Sequence, residues 1–126
     1  MMQFSLAPWR ILSDENARLC LAQAKLHDAF ASRIIEEVKK SAKTGEPILR
    51  PLEYNFPCAG FECITDMFML GEDILVAPVL EKGVSTRTLT LPEGKWLYRG
   101  ETEYLGGVEV TVSAPLGTLP YFEKIV

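Results

Sequence analysis

The sequence predicts a composite fold, an α/β segment followed by an all-β segment, on three observations. Apolar residues recur at helical spacing between Ser13 and Gly45. A compact apolar run follows at residues 47–52, as a buried strand requires. From Ile74 onward the pattern changes to short apolar or alternating runs separated by glycine and proline. The boundary is expected near Gly71, giving parts 1–71 and 72–126. A chain of 126 residues suffices for one modest domain, or for a small domain with a piece of another.

Taken in order, residues 2–11 are too apolar for a free tail, and the Ala7-Pro8 pair argues for extended backbone, so this segment is expected as a strand or strand exit. Ser13 is a helix N-cap, and Asp14 and Glu15 place negative charge at the positive end of the helix behind it. Leu19, Leu26, Phe30, Ile34 and Val38 then mark one apolar face. Lys39, Lys40 and Lys43 suit the carboxy-terminal turn, and Gly45 ends it. Such a helix would run to roughly 40 Å, long for a small domain, so a break is expected near Ala31-Ser32.

Residues 47–52 form the next strand, and 57–60 a turn-rich crossing. Residues 74–80 are nearly continuous apolar. Residues 86–91 and 108–112 alternate, and 119–125 close the chain. Glu93-Gly94 and Gly106-Gly107 supply the turns between these strands. Strands at this spacing predict a small antiparallel β-sandwich for residues 72–126.

Composition narrows the partners. The net charge is −4, with seven Lys/Arg against five Asp/Glu in residues 1–45 and six against twelve in residues 46–126. Neither part carries the dense positive surface that a phosphate backbone demands, so nucleic acid is excluded as a partner. No apolar run reaches the length of a membrane span, and no basic-then-apolar leader opens the chain, so neither membrane nor secretion is indicated. Cys20, Cys58 and Cys63 are an odd set without disulfide spacing, and with His27 as the one histidine they make no zinc pattern. They are expected as buried or loop thiols in a reducing compartment.

Two stretches carry a stronger signal, TGEPILRPLEYNFP at residues 44–57 and DMFMLGEDILVAPVLEKG at residues 66–83. Leu91-Pro92-Glu93-Gly94-Lys95-Trp96 and Ala114-Pro115-Leu116 follow in the same order. Together they resemble the carboxy-terminal part of glycoside hydrolase family 31, the α-glucosidase and α-xylosidase family. Residues 2–10 resemble a segment near the end of that family's catalytic barrel. The resemblance implies that residues 1–71 are the last βαβ portion of a (β/α)8 barrel, with a parallel strand at 47–52, and that residues 72–126 are the sandwich behind it. It implies a retaining hydrolysis of terminal α-linked sugars through a covalent glycosyl-aspartate, with no metal or organic cofactor. The family's two catalytic aspartates lie upstream of every residue present, so the chain alone is expected to be inactive. Asp66-Met67 echoes the nucleophile segment but sits in another element.

Retaining glycosidases need two carboxyl groups about 5–5.5 Å apart. The local carboxylates are Glu46, before the strand, Glu53, after it at the expected rim, and Asp66. Trp9 and Arg10 fall where the family places a substrate-contacting R-x-H; Arg10 matches the arginine, while Leu12 stands at the histidine. Trp9, Arg10 and Glu53 are therefore the expected substrate-binding residues, Trp9 by stacking on a pyranose and Arg10 by donating to a hydroxyl or acidic substituent. Arg50 is expected to pair with a carboxylate structurally, and Trp96 to be a buried anchor.

The expected partners are an α-glycoside or oligosaccharide held by the complete enzyme and the remainder of the barrel. A barrel piece cannot close its own sheet, so the isolated chain is expected to self-associate or to be marginally stable. Two alternatives are a free-standing carbohydrate-binding module that uses its aromatics, and an interaction subunit that completes a split barrel.

Overall fold

A computed structural model of the chain describes residues 7–125. It divides into two compact units, Met1–Glu46 and Pro47–Val126. The first unit is helical. Its opening element is a short helix, α1 (Pro8–Ile11), and not a strand; residues 2–6 of the expected strand lie outside the described residues. The physical reason for the correction is positional. Ala7, the residue before proline, is indeed extended at φ −89° and ψ 101°, but Pro8 takes the first helical position, where its missing N–H costs nothing.

Ser13 caps α2 (Asp14–Ala29), accepting a bond of 3.3 Å from the Asn16 N–H. The helix breaks at Phe30, at φ −90° and ψ 1°, and α3 (Ala31–Thr44) follows. The break falls one residue before the expected one. Gly45 ends α3 at φ 78°, in the left-handed region, and its N–H reaches the Ser41 carbonyl.

The second unit is mostly antiparallel sheet. Its elements are β1 (Leu49–Arg50), the one-turn helix α4 (Leu52–Asn55), β2 (Phe68–Leu70), β3 (Ile74–Val76), β4 (Thr86–Thr90), β5 (Lys95–Tyr98), β6 (Thr102–Leu105), β7 (Glu109–Ser113) and β8 (Tyr121–Lys124). Six strands form one sheet in the order β1-β2-β3-β8-β5-β6, and β4 pairs with β7 in a separate ribbon. The strand expected at residues 47–52 shrinks to β1 and pairs antiparallel with β2, Leu49 opposite Leu70 and Arg50 opposite Met69. The parallel pairing expected there is corrected. Gly71, the expected boundary, lies in the turn that joins the paired strands β2 and β3.

One core holds the two sheets together. Met69, Leu75, Trp96 and Phe122 from the large sheet cluster with Leu89 and Val112 of the ribbon and with Leu52, Phe61 and Met67 from the connections. The alternation in β4 and β7 buries Leu89 and Val112 and turns Thr86, Thr88, Thr90, Glu109, Thr111 and Ser113 to solvent. The arrangement is sandwich-like, with one side reduced to two strands.

Gly106 is where close approach demands glycine. A Cβ there would stand 1.8 Å from the Pro92 carbonyl oxygen, while the Gly106 N–H donates to Gly94 O at 2.8 Å.

Candidate functional site

The expected sugar-contacting residues fall in different units, Trp9 and Arg10 in the helical one and Glu53 in the β one. Because α1 is a single turn started by Pro8, it leaves Trp9 76% exposed, with Arg10 exposed beside it. Trp9 and Pro8 line a groove of about 490 Å³ whose other wall comes from α2, with Asp14, Ala17, Arg18, Cys20, Leu21 and Ala24. Arg10 takes no part in it. The groove is apolar, with one carboxylate and one guanidinium four residues apart on α2, a lining able to take a flat ring bearing a few polar groups.

Glu53 sits in the first turn of α4, beside the wholly buried Leu52 that pins the turn to the core, and its own side chain is exposed. What holds this turn is Arg50, only 4% exposed. Its Nε donates to Pro47 O at 2.7 Å and one terminal nitrogen donates to Asn55 Oδ1 at 3.3 Å. The Asn55 amide in turn donates to Gly71 O at 2.9 Å, tying α4 to the β2–β3 turn. The guanidinium also lies 5.4 Å from the Tyr54 ring centre and 3.9 Å from a Glu72 carboxylate oxygen, a loose pair because Glu72 is well exposed. Arg50 therefore acts structurally, on backbone and amide oxygens and on the Glu72 carboxylate.

Asp66 is engaged as well. Arg87 on β4 donates to its carboxylate at 2.5 Å and to its backbone carbonyl at 3.3 Å, which fastens the 57–67 connection to the ribbon. Neither Asn55 nor Arg87 stood out in the sequence. A signal for Arg87 existed: it occupies the same face of β4 as buried Leu89, and a charge on an inward face needs a partner.

Most aromatics of the second unit pack within it, with Tyr54 exposed. Trp96 is fully buried, its indole N–H donates to Pro92 O at 2.8 Å, and the Phe56 ring lies 6.2 Å away. It is the buried anchor expected, and no stacking surface for a sugar. Tyr98 donates its hydroxyl to Ser113 O at 2.6 Å and packs on Phe122 at 5.0 Å. Burial raises its pKa above the usual 10.0, opposed by Arg99 and reinforced by Tyr104. Burial likewise raises that of Tyr121, with Glu123 adding to it, Arg99 opposing and Glu101 adding. The three cysteines are free thiols, Cys58 and Cys63 exposed and Cys20 half-buried. Among the described residues no group of three His, Cys, Asp or Glu could hold a metal ion, and no helix is long and apolar enough to cross a membrane.

Comparison with known proteins identifies what this architecture is similar to. The family model described as Glycosyl hydrolase family 31 C-terminal domain matches residues 45–125. A sulfoquinovosidase of Escherichia coli K12 is 44% identical over 90 residues, covering 71% of this chain and 13% of that protein. Myogenesis-regulating glycosidase of Mus musculus is 38% identical over 104 residues, covering 79% of this chain and 14% of that protein. The crystal structure of a GH31 α-xylosidase from a soil metagenome, complexed with xylose, superposes with a TM-score of 0.88 at 32% identity, over 100% of this chain and 19% of that one. The chain thus spans less than a fifth of the length of these relatives.

Proposed function

The chain belongs to glycosyl hydrolase family 31, and on that premise we propose that it works as the carboxy-terminal portion of a longer retaining α-glycosidase. The observation that carries the proposal is the pairing of full coverage of this chain with 19% coverage of the α-xylosidase at a TM-score of 0.88. In this reading the barrel-derived part lies within residues 1–71, its helices foremost, and the sandwich domain occupies residues 72–126. The barrel supplies both catalytic aspartates from elsewhere, the chemistry passes through a covalent glycosyl-aspartate, and no metal or organic cofactor is needed. The β unit contributes a stiff support, since Trp96, Phe61, Phe122 and the buried Arg50 are committed to its own packing.

Trp9, Arg10 and Glu53 are the residues proposed to meet the sugar. Their exposed side chains support that reading, because none is consumed by the packing of its own unit. Terminal α-linked glycosides are the substrate class, in keeping with the glycosidases the chain resembles.

Turnover is the test. The purified chain, assayed with p-nitrophenyl α-glucoside and α-xyloside, should release nitrophenol no faster than buffer. A longer protein carrying this chain behind a complete barrel should release it steadily. Turnover by the 126-residue chain at a rate that survives repeated purification would overturn the proposal.

A further inference from the structure

The connection between α4 and β2 carries two thiols that neither the fold nor the proposed activity uses. Cys58 and Cys63 are the only cysteines of the β unit, both are exposed, and both are free. Four residues separate them, in a connection built of turns. Phe56, just before the segment, and buried Phe61, within it, bring their rings to 6.3 Å in an edge-on contact. Cys58 at φ 57° and Gly60 at φ 86° both take left-handed backbone in this connection. The Ile64 N–H then donates to Phe61 O at 3.1 Å, closing a second turn that contains Cys63. Two consecutive turns, hinged on one buried phenylalanine, thus present two thiols to solvent from a short stretch of backbone.

We propose that Cys58 and Cys63 form a redox modification site, oxidised by hydroperoxides to a disulfide within this loop. One thiolate attacks the outer peroxide oxygen, the O–O bond breaks, and the sulfur becomes a sulfenic acid while an alcohol leaves, or water when the oxidant is hydrogen peroxide. The second thiolate attacks that sulfur, the S–S bond forms, and hydroxide leaves and takes up a proton as water. The two thiols lose two electrons and two protons in all, and the peroxide gains them. A thiol reductant reverses the step by exchange. A bridge would close a small ring around buried Phe61, and the exposed thiols must bring their Cα atoms within about 7 Å for it to form.

The experiment uses the whole chain, reduced and then treated with hydrogen peroxide. Intact mass should fall by about 2 Da, as loss of two hydrogens requires. Peptide mapping should place Cys58 and Cys63 in one crosslinked species, monomeric on a non-reducing gel and restored by dithiothreitol. Cys20→Ser should leave this unchanged. Cys58→Ser or Cys63→Ser should abolish the mass loss and leave a sulfenic acid that dimedone traps. The oxidised chain should melt higher, by about 5 °C, because a short loop is closed in the unfolded state. Dimers joined through these cysteines, a bridge to Cys20, or oxidation to sulfinic acid without any disulfide would each overturn the proposal.

Discussion

The two units bury very different things. Every hydrophobic residue of the core, from Leu52 to Phe122, belongs to the β unit, while among the described residues the helical unit buries only Pro8 and the side chain of Glu37. Trp9, Ile11, Leu21, Ile35 and Val38 are all exposed on the helices. A helix gains most of its stability from packing an apolar face rather than from propensity. The β unit therefore has a reason to fold by itself, and the helical unit has caps but little to close over. That asymmetry teaches where the molecule's own free energy resides.

The comparison breaks most decisively at Trp96. Trp96→Ala removes the largest buried side chain and orphans Pro92 O, and should cost about 4 kcal/mol in urea unfolding followed by circular dichroism. If the loss were under 1 kcal/mol, the β unit would not be the stability centre. Gly106→Ala comes next. Its Cβ meets backbone rather than a movable side chain, so the turn must open, at about 3 kcal/mol. Third, Arg50→Met should cost about 2 kcal/mol and raise hydrogen exchange in α4, since Asn55 and Pro47 lose their donor.

In the helical unit, by contrast, Ile35→Ser and Val38→Ser should change stability by no more than about 0.5 kcal/mol, and Ser13→Ala by about 1 kcal/mol. A large loss at Ile35 or Val38 would show a closed core in this unit. The smallest effect is alkaline. Tyr98 and Tyr121 have raised pKa values in the fold, so their contribution is complete below the unfolded value near 10 and is lost as pH rises through the folded values. Tyr98→Phe should reduce the fall in stability above pH 10 while leaving the slope near neutrality unchanged, as read from denaturation midpoints across pH.

Much of this was legible residue by residue. Ser13 and Gly45 marked helix ends because capping is a local matter of one hydrogen bond and one backbone angle. The alternation in β4 and β7 was visible because five residues cover more than two full periods. Strands β2, β5 and β6 escaped notice, since three or four residues carry too little alternation and their existence depends on a remote partner, as when β5 inserts between β6 and β8. Pro8 misled through a rule that was correct for Ala7 alone. Of the expected site, Trp9, Arg10 and Glu53 are exposed, whereas the engagement of Asp66 by Arg87 and of Asn55 by Arg50 needed partners 21 and 5 residues away to be seen.

By itself the sequence determined the start and end of the α2–α3 stretch, the two long alternating strands, the burial of Trp96 and, through its motifs, the family. Tertiary structure alone decided that β1 runs antiparallel to β2, that the compact units divide between Glu46 and Pro47, and that Arg50 reaches Pro47 O and Asn55 Oδ1 as well as a carboxylate. The reason is range. Caps, turns and periodicity are settled within a few residues, whereas strand direction and the partner of a buried charge are settled by whichever distant group satisfies them once the core has closed.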